Sequence, residues 1–126
     1  MPTDSSTGES RRTFRAPHKY RWPVELLPID ATSPTRIEGV TYGVSVGGAF
    51  VEAPWSPQVG AGVHLWLRPL VPAASPPVLR LRAEVRWISD GLRRDVPRGF
   101  GVAFRALTAA DEVALHGYFS RAHKVV

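Results

Sequence analysis

The chain has no cysteine. Disulfide frameworks, cysteine-ligated zinc and thiol nucleophiles are therefore excluded. That absence fits a reducing compartment, and a cytoplasmic location is expected. The sequence also lacks an apolar run as long as a membrane span. Met1 to Arg12 is polar, with no apolar centre, and does not read as a secretory signal. Acids are missing from one stretch in particular. Arg11, Arg12, Arg15, Lys19 and Arg21 follow one another with His18 among them and no Asp or Glu. Such a patch favours a phosphate-bearing partner, although a solvated basic tail has the same composition.

What is present bounds the fold. A length of 126 residues suits one domain with one modest core. Hydrophobic residues make up 44% and charged residues 21%, the balance of a soluble globular chain rather than a disordered one. Residues 1–10 hold nothing that packs and are expected to form a disordered leader. Residues 11–126 are expected to form the domain. Pro17 and Pro23 argue against a helix at its start.

Six short β-like runs follow. Lys19 to Ile29 places Tyr20, Trp22, Val24 and Leu26 on one face, and Pro23 suggests a sheet edge. Arg36 to Val44 carries Ile37, Val40 and Tyr42. Gly48 to Glu52 is the third run. In the fourth, Gly62 to Leu70, Val63, Leu65 and Leu67 alternate with His64, Trp66 and Arg68. Val78 to Ser89 alternates most strictly. Leu79, Leu81, Ala83, Val85 and Trp87 face one way, and Arg80, Arg82, Glu84 and Arg86 the other, as in a half-buried antiparallel strand. Gly99 to Leu107 sets Phe100, Val102 and Phe104 on one face. Twelve prolines and eleven glycines suit the turns of an all-β fold.

The period then changes. Thr108 reads as an N-cap, with Asp111 and Glu112 in the first helical turn. Leu115, Tyr118, Phe119 and Ala122 follow at helical spacing, and Arg121, His123 and Lys124 gather at the far end. A run of strands closed by one helix predicts a barrel with a helix packed on it, because open sheet edges would otherwise stay exposed.

Most catalytic patterns fail on inspection. Gly43-Val44-Ser45-Val46-Gly47 has the spelling of a nucleophile elbow, but that elbow needs a strand before it and a helix after it. Here Ala49-Phe50-Val51-Glu52 reads as strand. His18, His64, His116 and His123 show no metal-ligand spacing. The chain is therefore expected not to be an enzyme and to hold no metal or cofactor.

Two segments remain. Arg11-Arg12-Thr13-Phe14-Arg15 brings guanidinium groups that clamp phosphate bidentately and stack on bases. Gly43-Val44-Ser45-Val46-Gly47-Gly48 offers open backbone amides, a hydroxyl and close approach for a flat base. Read alone, the glycines of this second segment are a turn or bulge between strands.

Together these segments resemble the PilZ domain family. Its pattern is RRxxR in an N-terminal linker and [D/N]xSxxG after the next strands. The first motif is complete at Arg11, Arg12 and Arg15. The second stands as Gly43, Ser45 and Gly48, followed by Ala49-Phe50-Val51-Glu52. Ala83-Glu84-Val85-Arg86-Trp87 and Gly99-Phe100-Gly101-Val102-Ala103-Phe104 look like the family's late strands. The resemblance implies an all-β fold, a six-stranded antiparallel β-barrel with one C-terminal α-helix. It also implies binding of cyclic di-GMP, a bacterial second messenger. Arg11, Arg12 and Arg15 would hold phosphates and stack on guanine, and Gly43, Ser45, Gly47 and Gly48 would line the pocket.

One position departs from the pattern, since residue 43 is Gly where the family has Asp or Asn. A carboxylate there would accept guanine N–H groups. Losing one charge-assisted contact costs about 1.5–3 kcal/mol, or one to two decades of affinity. Glu38 and Glu52 are the candidates to compensate, and Gly43→Asp is the discriminator: gained binding where wild type binds nothing would support a degenerate site. The leading expectation is a cyclic di-GMP receptor of weakened affinity that relays the signal to a partner protein. The alternative is a degenerate PilZ domain that acts by protein contact in motility or pilus assembly, with Trp55 and Trp66 as candidate contact residues. Sequence-specific recognition of nucleic acid is not expected.

Overall fold

The computed structural model describes residues 20–29 and 36–124. The expected leader, 1–10, and the arginines at 11, 12 and 15 lie outside the described residues. So do the side chains of His123 and Lys124.

The strands are β1 (Pro23–Pro28), β2 (Ile37–Val44), β3 (Gly48–Glu52), β4 (Gly62–Leu67), β5 (Leu79–Ser89) and β6 (Gly99–Arg105). One helix, α1 (Ala109–Lys124), follows them. Every strand pair is antiparallel, and the order β1-β2-β3-β6-β5-β4 closes on itself through β1 and β4. The all-β barrel with one C-terminal helix expected from the sequence is thus the observed architecture. Pro23 corrects one expectation. Closure leaves β1 paired on both sides, so Pro23 marks no sheet edge. It is instead the first residue of β1, where a missing N–H is tolerated.

The barrel interior takes every second residue. Val24 and Leu26 of β1 face Val63, Leu65 and Leu67 of β4, and Leu79, Leu81, Ala83 and Val85 of β5 complete that side. All are nearly inaccessible to water. Burying one such aliphatic side chain stabilises the fold by about 1.5–3 kcal/mol. On β2, Ile37 is a core residue, but Val40 and Tyr42 are only half-buried. Val44 is buried as well, and so is the polar Thr41, whose hydroxyl accepts the Trp22 N–H at 2.8 Å and donates to the Tyr20 carbonyl. A buried hydroxyl with both roles filled carries little desolvation penalty.

The helix covers the barrel end from which β1 starts. Thr108 caps it, with Oγ1 accepting the Asp111 N–H at 3.0 Å and the Asp111 carboxylate accepting the Thr108 N–H at 3.0 Å. Leu115, Tyr118 and Ala122 point into the core, and Phe119 packs against it. Trp22 meets Tyr118 edge-on at 6.1 Å, and Tyr20 lies 5.3 Å from Phe119. The residues that enter the barrel from the N-terminal arm are thereby packed directly on the C-terminal helix. Burial raises the pKa of the Tyr118 phenol above its usual value of 10.0. The phenol therefore stays protonated and donates to the Pro76 carbonyl.

Candidate ligand site

Both glycine-rich ends of the β2–β3 hairpin are set by local bonds. Ser45 donates its N–H to the Gly48 carbonyl at 2.8 Å, and its Oγ accepts the Gly47 N–H at 3.2 Å. Gly47 in turn accepts the Phe104 N–H at 2.9 Å, which ties the turn to β6. The elbow spelling at residues 43–47 is thus a hairpin turn with a strand on each side. The Ser45 hydroxyl shapes that turn.

Two β-bulges flank the hairpin's outer face. In β2, the pairing moves from Thr41↔Val51 to Val44↔Ala49, so Tyr42 and Gly43 together oppose Phe50. Gly43 sits in this bulge with φ of +142°. Side chains of L-residues rarely tolerate that conformation. In β5, the pairing moves from Val85↔Val102 to Trp87↔Gly101, which leaves Arg86 as the extra residue. A bulge bends its strand and re-aims the side chains beside it.

The second bulge overturns the expected placement of Trp87. Strict alternation put it on the core face with Val85. The extra residue turns it outward instead, where it is 37% exposed. Its ring lies across Gly101, so that a Cβ on Gly101 would stand 2.2 Å from Trp87 Nε1. Beyond Gly101 it packs on Phe50, with ring centroids 5.0 Å apart. Phe50, in turn, meets Tyr42 edge-on at 6.3 Å. An aromatic ridge therefore crosses the outer face of β2, β3, β6 and β5.

On one side of the ridge is a pocket of about 240 Å³. Gly43, Ser45, Gly47 and Gly48, all singled out in the sequence, line it together with Arg86, Trp87 and Ala103. The structure thus brings the second motif onto one surface and adds Arg86, Trp87 and Ala103, which sequence reasoning did not place at the site. The available signal was Gly101, since an isolated glycine inside a strand marks a bulge or a close approach. On the other side is a hollow of about 410 Å³, lined by Arg21, Glu52 and Arg98 among others. Glu52 accepts from Arg21 there at 2.9 Å. Glu38 pairs across from Glu25 of β1. Neither candidate acid lines the pocket of the glycine motif. A side chain at the φ of Gly43 would strain β2, so Gly43→Asp changes stability as well as the pocket.

Among the described residues, no group of His, Asp and Glu is placed to hold a metal ion, and no helix is long and apolar enough to cross a membrane.

The family model of the PilZ domain matches residues 9–121. The chain belongs to the PilZ domain family. Among solved structures it is similar to the inhibitor of motility MotI/DgrA of Bacillus subtilis, with 22% sequence identity and a TM-score of 0.64. That match covers 83% of this chain and 47% of the Bacillus chain, so this chain spans about half of that protein's length. At this identity the likeness concerns the fold. No curated protein matches the sequence.

Proposed function

We propose that this domain is a cyclic di-GMP receptor and that the pocket beside the hairpin takes one guanine of the ligand. The observation that carries this reading is convergence. Four motif positions from one hairpin line a single pocket, together with an arginine and a tryptophan from β5. In this reading Arg11, Arg12 and Arg15 clamp the phosphates as bidentate donors. Arg86 adds positive charge at the pocket wall, and Trp87 offers an aromatic surface for base stacking. Gly48 and Ala103 leave the floor low enough for a flat ring. The domain acts by binding, in keeping with a family of binding domains, and performs no reaction of its own.

Relay to a partner protein is part of the same proposal. Ligand would draw the arginine arm onto the barrel. Residues just beyond the arm, Tyr20 and Trp22, pack on α1 through Phe119 and Tyr118. A change in the arm would reach the helix surface by that route, inside the cell. The motility role in the name of the Bacillus protein is one setting in which such a relay works.

Isothermal titration with cyclic di-GMP tests the reading. Arg11→Ala and Arg15→Ala should each weaken binding by about 1.5–3 kcal/mol, or ten- to a hundredfold. No heat with the wild-type protein at high micromolar ligand would overturn it. The second reading, a degenerate domain that works by protein contact alone, is favoured by Gly43 and by Trp55, which is 51% exposed.

A further inference from the structure

We infer that Glu84 reads guanine in this pocket, in place of the acid or amide that the family pattern has at position 43. The inference rests on the cyclic di-GMP reading above. Three observations lead to it.

The first is that β2 cannot supply the contact. Gly43 is buried in a bulge at φ of +142°, so the position excludes a comfortable side chain. Glu52 is engaged by Arg21 in the hollow across the ridge. Glu38 belongs to the β1–β2 face, opposite Glu25.

The second is register. Gly48 of β3 pairs with Ala103 of β6, and Ala103 pairs with Glu84 of β5. The three residues form one cross-strand row on the outer face, beside the ridge of Phe50 and Trp87. Gly48 and Ala103 line the pocket, so nothing larger than a methyl group stands on its floor along this row. Glu84 itself stands outside the lining, one cross-strand step beyond Ala103, and such neighbours lie about 5 Å apart, within the reach of a glutamate stem. A base lying on Gly48 and Ala103 would have its edge toward the Glu84 carboxylate.

The third is how that carboxylate is held. Arg105 donates from Nε at 3.1 Å and from Nη2 at 2.7 Å, both to Oε1. Oε2 is 4.0 Å from Arg86 Nη1, beyond hydrogen-bond distance. The carboxylate is therefore anchored through Oε1 and keeps acceptor capacity on Oε2. Guanine presents N1–H and the N2 amino group side by side, two donors that can converge on the open Oε2. Adenine presents an acceptor at N1, which a carboxylate repels. Glu84 thus selects guanine over adenine, whereas the arginines hold phosphate whatever the base.

The test compares cyclic di-GMP with cyclic di-AMP on wild type and Glu84→Gln, by titration calorimetry. Glu84 is partly exposed, so the substitution leaves the core intact, and circular dichroism checks the fold. Wild type should bind cyclic di-GMP at least tenfold more tightly than cyclic di-AMP. Glu84→Gln should lose tenfold or more for cyclic di-GMP and bring the two ligands within threefold of each other. If wild type binds cyclic di-GMP and the variant binds it equally well, Glu84 is not the reader, and the receptor function stands. An equal loss for both ligands also overturns base reading. If wild type binds neither ligand, the receptor function itself falls, and the assignment of Glu84 with it.

Discussion

On β4, inward and outward residues alternate without a break from Gly62 to Leu67. On β5, the same alternation runs from Leu79 to Val85 and then fails at Trp87, which is exposed like Arg86 and Ile88 on either side of it. The two strands are neighbours in one barrel and share most of one register. They differ in what lies on their other side. β4 is joined to β1, where every residue has a single partner, whereas the end of β5 is joined to β6 across a bulge. The unbroken half of the barrel builds core, and the broken half turns large side chains outward. A bulge costs ladder hydrogen bonds, and here it sets Arg86 and Trp87 at the wall of a pocket.

The sharpest way to test this division is to damage each half and compare what is lost. Leu65→Ala, in the unbroken half, should have the largest effect on stability. Leu65 is 1% exposed, and its removal leaves a cavity between β1 and β5. The expected cost is about 2–5 kcal/mol, read from the midpoint of urea unfolding. Ligand affinity, measured where the variant is still folded, should stay close to the wild-type value.

Gly101→Val strikes the broken half at its narrowest point. The new Cβ would fall 2.2 Å from Trp87 Nε1 and 2.7 Å from Cε2, so the indole must leave its place. Overpacking of this kind costs about 1–3 kcal/mol. Near-ultraviolet circular dichroism should change with it, because the contact between Trp87 and Phe50 opens. Unlike Leu65→Ala, this variant should also lose ligand affinity.

The same division decides how much was legible in the sequence. β4 and the first half of β5 follow a period of two, and every core position read from them is a core position in the barrel. The capped helix was equally plain, because Thr108, Asp111 and the apolar spacing agree. Trp87 was misplaced because counting in twos cannot register one extra residue. The bulge turns Trp87 outward, while Ile88 stays exposed and Ser89 stays buried. Val40 and Tyr42 were marked as apolar positions of β2, yet the polar Thr41 between them holds the core position, because its hydroxyl finds both partners inside. At the pocket, the glycine motif was legible as composition. Arg86 and Trp87 joined it only through the register between β5 and β6, which is set by long-range pairing. Glu84 is instructive in the opposite way. Its outward face was read correctly, but its place in one row with Ala103 and Gly48 depends on three strands at once.

Trp87→Ala separates packing from recognition within the broken half. At 37% exposure the side chain covers Phe50 but is not sealed in the core. Its loss should cost about 1–2 kcal/mol in urea unfolding, below the range for a buried aromatic. If the indole stacks on a base, affinity for cyclic di-GMP should fall by about 1–3 kcal/mol as well. Unchanged affinity would remove Trp87 from the site and leave it as a cover for Phe50.

The smallest structural effect is expected at Gly47, and that is what makes it informative. A Cβ there meets only Ser45 Oγ, at 3.9 Å, whereas on Gly48 it would stand 2.1 Å from the Val102 carbonyl oxygen. The fold therefore requires glycine at 48 but has no steric need for it at 47. Gly47 is nonetheless at the pocket lining, on its exposed side. Gly47→Ala should leave stability within about 0.5 kcal/mol of wild type, as surface substitutions usually do. A methyl group at the pocket mouth should still obstruct the close approach of a base and weaken cyclic di-GMP binding about tenfold. Loss of binding without loss of stability would show that the broken half serves the ligand. If neither changes, the small residue at 47 answers only to the turn, and the pocket mouth lies elsewhere on the hairpin.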